Sequence, residues 1–191
     1  MGDGTFWHPV GELLPETWEK HYLSWPGLGH QPSDPAVNGI QDLRKLAEKV
    51  LVSPTVLVAQ SMGGVVAIDL ALRHPKSVTH LVLVASSGGL DMDKFGGIDW
   101  RREYLAAYPA SARWIIKERP DLTRHFSKVS VPTLLIWGDI DPISPVAVGE
   151  YLAQQIPLAR MHVVRGGSHS VAADQPEIVA AAIMEHLCRY V

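Results

Sequence analysis

The chain has 191 residues, enough for one sizeable hydrophobic core and few for two. A formal charge of -3, a pI near 6.3 and the lack of a Lys/Arg cluster argue against nucleic acid or an anionic membrane as partner, and no apolar run nears the ~20 residues that span a bilayer. The single cysteine, Cys188, excludes an internal disulfide; the N-terminus has no basic-then-apolar leader and carries Phe6 where a myristoylation signal needs Ser or Thr, so the expected location is the cytoplasm.

Residues 2–8 are glycine-rich with no strand-like run, and Pro9 suits a first helical position, with Val10, Leu13 and Leu14 on one face of a short helix. Residues 21–25 read as a short strand running into the turn Pro26-Gly27-Leu28-Gly29-His30. Asn38 is expected to cap a helix whose apolar set is Leu43, Leu46, Ala47, Val50 and Leu51. The run Val56, Leu57, Val58, Ala59 predicts a buried strand, and Val65, Ile68, Leu70 and Leu72 predict a helix that packs on a sheet and stops before Pro75. A second apolar strand follows at residues 80–85.

Residues 87–130 change in character: Gly89, Gly96 and Gly97 break the chain, and the helical patterns around residues 100–108 and 110–117 carry more aromatic and charged side chains. This is read as an inserted helical lid. Residues 131–137 resume as a strand, Ser144-Pro145 opens a helix to about residue 155, residues 160–164 form the last strand, and Asp174 starts a C-terminal helix to about residue 189. Alternating strands and helices predict an α/β fold with a mostly parallel sheet flanked by helices. The expected organisation is one domain over residues 1–191, its core formed by 1–86 and 131–191 with the lid inserted at about 87–130.

The chemistry centres on Ala59-Gln60-Ser61-Met62-Gly63, a small-x-Ser-x-Gly frame lying between a strand and a helix, where small flanking residues let the two approach around an exposed serine. A serine hydroxyl needs a base to take its proton, and the base needs an acid to fix its tautomer. The loop after residues 131–137 offers Asp139 and Asp141, and the loop after residues 160–164 offers His169. Loops beyond the carboxyl ends of parallel strands share one edge of the sheet, so these two and the serine turn converge.

On the segments Gln60-Ser61-Met62-Gly63-Gly64, Trp137-Gly138-Asp139-Ile140-Asp141-Pro142 and Gly167-Ser168-His169, the chain resembles an α/β-hydrolase of the serine-esterase kind, from about Trp7 to its end. The resemblance points to Asp141 as the acid, with Asp139 as fallback, and so to Ser61, Asp141 and His169 as a catalytic triad. The implied function is hydrolysis of a carboxylic ester of a small, mostly apolar acyl substrate through an acyl-enzyme, without cofactor. One oxyanion donor is expected from the backbone N–H of Met62, at a helix N-terminus. Related proteins carry a strand ending in His-Gly before the first helix. Here Gly2-Asp3-Gly4-Thr5-Phe6 stands in that place, so the usual N-terminal strands are expected to be lacking and the second donor is Thr5 or Phe6 by position.

Trp100, Tyr104 and Tyr108 share a helical face and are candidates for an apolar substrate wall. None of the other histidines forms a tight ligand spacing with a second His or with Cys188, so no metal is expected. A catalytically silent ligand- or partner-binding protein of the same fold, and triad-dependent perhydrolysis or carbon-carbon cleavage, stay open beside ester hydrolysis. So does a homo-oligomeric state.

Overall fold

A computed structural model describes residues 2–189. Four strands, β1 (Thr55–Gln60), β2 (Val78–Val84), β3 (Thr133–Gly138) and β4 (Ala159–Val164), form one parallel sheet in the order β1-β2-β3-β4. The helices are α1 (His8–Leu13), α2 (Ile40–Glu48), α3 (Gly63–Arg73), α4 (Arg101–Ala107), α5 (Trp114–Lys117), α6 (Val146–Gln155), α7 (Val171–Asp174) and α8 (Pro176–Cys188).

Successive side chains of a strand point to opposite faces, and the two central strands show this directly. Val82, Val84, Leu134 and Ile136 pack with Val10, Val171, Val179 and Ile183 from α1, α7 and α8. Leu81, Leu83, Leu135 and Trp137 face the other way, onto Ala67 and Ile68 of α3 and Val148 and Leu152 of α6. Each such side chain, once fully buried, contributes about 1.5–3 kcal/mol. A third cluster, containing Leu28, Leu43, Val66, Leu70, Tyr104 and Ile115, joins α2 and α3 to the short helices between β2 and β3. Among the described residues, no helix is long and apolar enough to cross a membrane.

Three local expectations change. Residues 21–25 are not a strand; the backbone there meets the chain start, with the Trp25 N–H donating to Gly2 O at 2.7 Å, and no ladder forms. Asn38 does not cap α2. Gly39 is the N-cap, and the orphan N–H of Ile40 donates to the Glu118 carboxylate at 2.9 Å, from a residue far along the chain. Asp174 ends α7 instead of opening the last helix, which starts at Pro176; its carboxylate accepts from Ser168 Oγ at 2.6 Å.

The register places Gln60 opposite Val84, Val84 opposite Ile136, and Gly138 opposite Val164. The chain therefore leaves β1, β3 and β4 at one rim.

On the opposite side of the core, His80 of β2 and His186 of α8 meet edge to face, with ring centroids 5.6 Å apart. Burial holds both rings below the usual histidine range, and for His186 the neighbouring His80, Arg160 and Arg189 press in the same direction. As pH falls below about 6.5 the unfolded chain takes up these protons before the folded one, so this part of the stability is present above that pH and lost below it. We expect the melting temperature to drop between pH 7 and 5, and to drop less in a His186→Phe variant measured over the same series.

Candidate active site

The turn from β1 into α3 carries Ser61 at φ 54°, a left-handed conformation that a non-glycine residue adopts only when its surroundings enforce it. Here the Ser61 N–H donates to Val84 O at 3.0 Å, and Ser61 O accepts from Ser86 Oγ at 2.7 Å. Ser86 Oγ in turn accepts from the Gly88 N–H at 3.1 Å. The glycine that this packing demands is Gly64, where a Cβ would lie 2.0 Å from Ser86 Oγ. At Gly63 a Cβ would stand 3.7 Å from that of Ala59, in ordinary contact, so larger side chains at this pair would crowd strand against helix.

After β3, Asp141 folds back under its own loop. Its side chain is 0% exposed, and Oδ1 accepts from the N–H groups of Ile143 at 2.8 Å and Ser144 at 3.0 Å. Ser144 is held in turn by Trp137 Nε1, which donates to its Oγ at 3.2 Å. Asp139 takes another part: its Oδ1 accepts from the Gly166 N–H at 2.6 Å, tying the β3 loop to the β4 loop.

Those loops also touch backbone to backbone. The Ile140 N–H donates to Gly167 O at 3.1 Å, and a Cβ on Gly138 would sit 2.0 Å from that oxygen. No rotamer change relieves a clash with backbone. Gly138→Ala should therefore cost about 3 kcal/mol, read in a thermal melt as a drop of roughly 6–12 °C for a chain of this size.

His169 completes the arrangement. Asp141 Oδ2 lies 2.8 Å from His169 Nδ1, and His169 Nε2 lies 3.1 Å from Ser61 Oγ. A carboxylate only accepts, so the neutral ring carries its proton on Nδ1 and presents a bare Nε2 to the serine. The ring is 14% exposed and lines the cavity. Gln60, next to the serine, donates from Nε2 to His169 O at 2.9 Å and so ties the strand bearing the hydroxyl to the loop bearing the imidazole. Sequence reasoning gave Gln60, Ser86 and Gly138 no such roles; only the adjacency of Gln60 to Ser61 marked it.

The serine and imidazole open into a cavity of about 610 Å³, lined on its apolar side by Met62, Val65, Leu90, Phe95, Trp100, Ile115, Ile143 and Tyr151. Met62 directly precedes α3, where the first amides have no acceptor within the helix. Of the aromatic stripe, Trp100 reaches the cavity, with the Arg101 guanidinium 5.2 Å from its ring centroid. Tyr104 and Tyr108 do not line it. The Tyr104 hydroxyl accepts from the Gly29 N–H at 2.8 Å and meets Ser111 Oγ at 3.1 Å, a buried clamp on the residue 26–30 turn, and Tyr108 packs edge to face on His30 at 4.9 Å.

Thr5 and Phe6 also lie outside the cavity lining. Asp3 caps the 3-10 helix Gly4–Trp7, so the Thr5 N–H donates to Asp3 Oδ1 at 2.9 Å and the Phe6 N–H to Asp3 O at 3.4 Å. Among the described residues no group of three or more His, Cys, Asp or Glu is placed to hold a metal ion.

Comparison with known proteins bears on the family and the fold. Residues 2–128 match the family described as "Alpha/beta hydrolase family", and residues 99–189 match the one described as "TAP-like protein". The chain is 26% identical to the pimeloyl-[acyl-carrier protein] methyl ester esterase of Neisseria meningitidis, over 88% of this chain and 68% of that protein. It is 25% identical to the protein of the same name in Vibrio campbellii, over 96% and 89%. Among solved structures, MenH from S. aureus superposes with a TM-score of 0.78 at 16% identity, over 98% of this chain and 90% of that one. A thermophilic esterase from Thermogutta terrifontis does so with a TM-score of 0.74 at 23% identity, over 98% and 86%. Four parallel strands flanked by helices, a serine at a strained strand-to-helix turn and the extent of the family match lead to one conclusion: the chain belongs to the alpha/beta hydrolase family.

Proposed function

We propose that this protein is a carboxylic-ester hydrolase in which Ser61, His169 and Asp141 act as nucleophile, general base and orienting acid. The observation that carries the reading is the unbroken chain of contacts from Ser61 Oγ through the imidazole to Asp141, at 3.1 Å and 2.8 Å. Ser61 attacks the acyl carbonyl as His169 Nε2 takes its proton, and the same nitrogen then delivers that proton to the departing alkoxide. A serine ester remains. Water, deprotonated by His169, hydrolyses it and restores the hydroxyl. Asp141, buried with one oxygen held by two backbone amides, keeps the ring in the required tautomer and stabilises the imidazolium.

Negative charge on the carbonyl oxygen is met by the Met62 N–H at the start of α3; such a donor is worth about 2.7–4 kcal/mol in the transition state. On the apolar side of the cavity, Met62, Val65, Leu90 and Trp100 favour an apolar acyl group. The naming of the bacterial relatives as methyl ester esterases supports a carboxylic ester as the bond cleaved.

One observation favours a second reading, a silent ligand-binding protein: the Thr5 and Phe6 amides are turned to Asp3. A short nitrophenyl ester separates the two. The hydrolase reading expects a burst of one nitrophenol per chain followed by steady turnover; thermal stabilisation by the ester without turnover would reject it.

A further inference from the structure

Among the described residues, two that are not glycine take a left-handed backbone, Ser61 at φ 54° and Ala85 at φ 46°. They are neighbours: β1 pairs with β2 so that Gln60 lies opposite Val84, and the next step along both strands sets Ser61 beside Ala85. Such backbone persists only where the surroundings hold it. The Ala85 N–H donates to Ile136 O at 3.0 Å, and the Oγ of buried Ser86 meets Ser61 O on one side and the Gly88 N–H on the other. Gly88 at φ 60° and Gly89 at φ 95° turn the chain twice more, and Gly89 O accepts from the Leu122 N–H at 3.3 Å. Residues 85–89 are thus tied down along their whole length.

What this segment brings to the cavity is Ser87. It is half-buried, lines the wall together with Ser61 and His169, and its Oγ accepts from the Gly89 N–H at 3.2 Å. A hydroxyl has two lone pairs and one proton to give. Here a lone pair is used, and among the described residues the proton goes to no acceptor. Several other polar groups of the wall are committed: Asp99 pairs with Arg101 at 2.8 Å, Glu118 takes the Ile40 N–H, Asp121 accepts from the Thr123 N–H at 2.9 Å, and Ser144, only 1% exposed, is held by Trp137. Neighbouring strands lie about 4.8 Å apart and two residues reach at most about 7 Å, so the Ser87 backbone stands within about 12 Å of that of Ser61. An acyl chain bound at Ser61 passes it within a few atoms of the carbonyl.

We propose that Ser87 sets substrate preference by donating a hydrogen bond to an acceptor oxygen, as in an ether, ketone or alcohol, that the acyl chain carries a few atoms from the scissile carbonyl. This role rests on the reading of Ser61 as the group that receives that carbonyl. It narrows the substrate from an apolar acyl ester to one with an uncharged oxygen in the acyl chain.

The test measures binding and needs no turnover. In a Ser61→Ala background, which holds esters uncleaved, calorimetric titration compares three phenyl esters of one chain length: pentanoate, ethoxyacetate and 3-methoxypropanoate. An ether loses hydration on entering any cavity, so the quantity read is how the ratio of ether to hydrocarbon affinity changes between proteins. Replacing Ser87 by Ala, or by Cys, which keeps an acceptor and donates only weakly, should lower that ratio about fivefold for at least one ether, the scale of one hydrogen bond. Ser87→Thr keeps the hydroxyl and should keep the ratio. Each variant is checked for folding by its melt, and the Cys and Thr variants carry the test should Ala disturb the Gly89 turn. Ether esters that do not bind, or a ratio unchanged on losing the hydroxyl, overturn the proposal. The nitrophenyl ester assay on the wild type reports separately on hydrolysis, so failure of one reading is distinguishable from failure of the other.

Discussion

Ser61→Ala is expected to lower kcat on a short nitrophenyl ester by about a millionfold, and His169→Ala by a similar factor, with no further loss in the double variant. The expectation follows from the way the groups act as a unit. Without Ser61 Oγ there is no covalent acceptor for the acyl group, and without the imidazole that hydroxyl keeps its proton, so either loss alone stops the same step. Residual rate above water would come from the Met62 amide and from binding. Neither change should unfold the chain. Ser61 is anchored by its backbone, through Val84 O and Ser86 Oγ, and among the described residues its hydroxyl hydrogen-bonds to the His169 ring alone. A circular dichroism melt beside the steady-state rates verifies that the loss is chemical.

Asp141→Asn should lower kcat by about ten-thousandfold with little change in KM. The reason is in the hydrogen bonds. The N–H groups of Ile143 and Ser144 both donate to Oδ1, so an asparagine at 141 must place its carbonyl oxygen there and turn its NH₂ toward His169. Facing a donor, Nδ1 must accept, and the ring proton moves to Nε2. There it points at Ser61 Oγ and can no longer receive the serine proton. The geometry survives while the tautomer is wrong, so the effect falls on turnover. Asp139→Asn, by contrast, touches a loop-to-loop tie at Gly166 and not the imidazole, and should leave a much smaller loss. Steady-state kinetics of the two variants distinguish the aspartates directly.

Ser61, Asp141 and His169 were legible in the sequence because each sits in a short motif directly after a strand, and parallel strands deliver their following loops to one rim. The strands and main helices were legible from their apolar spacing. Most of what escaped was decided by partners far along the chain. Gly39 and not Asn38 is the N-cap of α2, and the Glu118 carboxylate takes the Ile40 N–H, a contact that no local pattern announces. Tyr104 shares helical spacing with Trp100, yet its hydroxyl closes a clamp with Gly29 and Ser111, so only Trp100 is left facing the cavity. The Thr5 and Phe6 amides were placed by analogy of position, whereas Asp3, a strong capping residue two and three positions before them, binds both. The need for glycine at 64 and 138 is likewise set by Ser86 and Gly167, neither of which is near in sequence.

Activation of the Ser61 hydroxyl by His169 is read out by labelling with a fluorophosphonate probe, because the reagent reacts with a serine whose proton is being removed and the adduct is located by peptide mass. The wild type should take up one probe per chain at Ser61, and His169→Ala should take up none over the same period. A folded wild type that stays unlabelled, or an equal labelling rate in His169→Ala, would contradict the account.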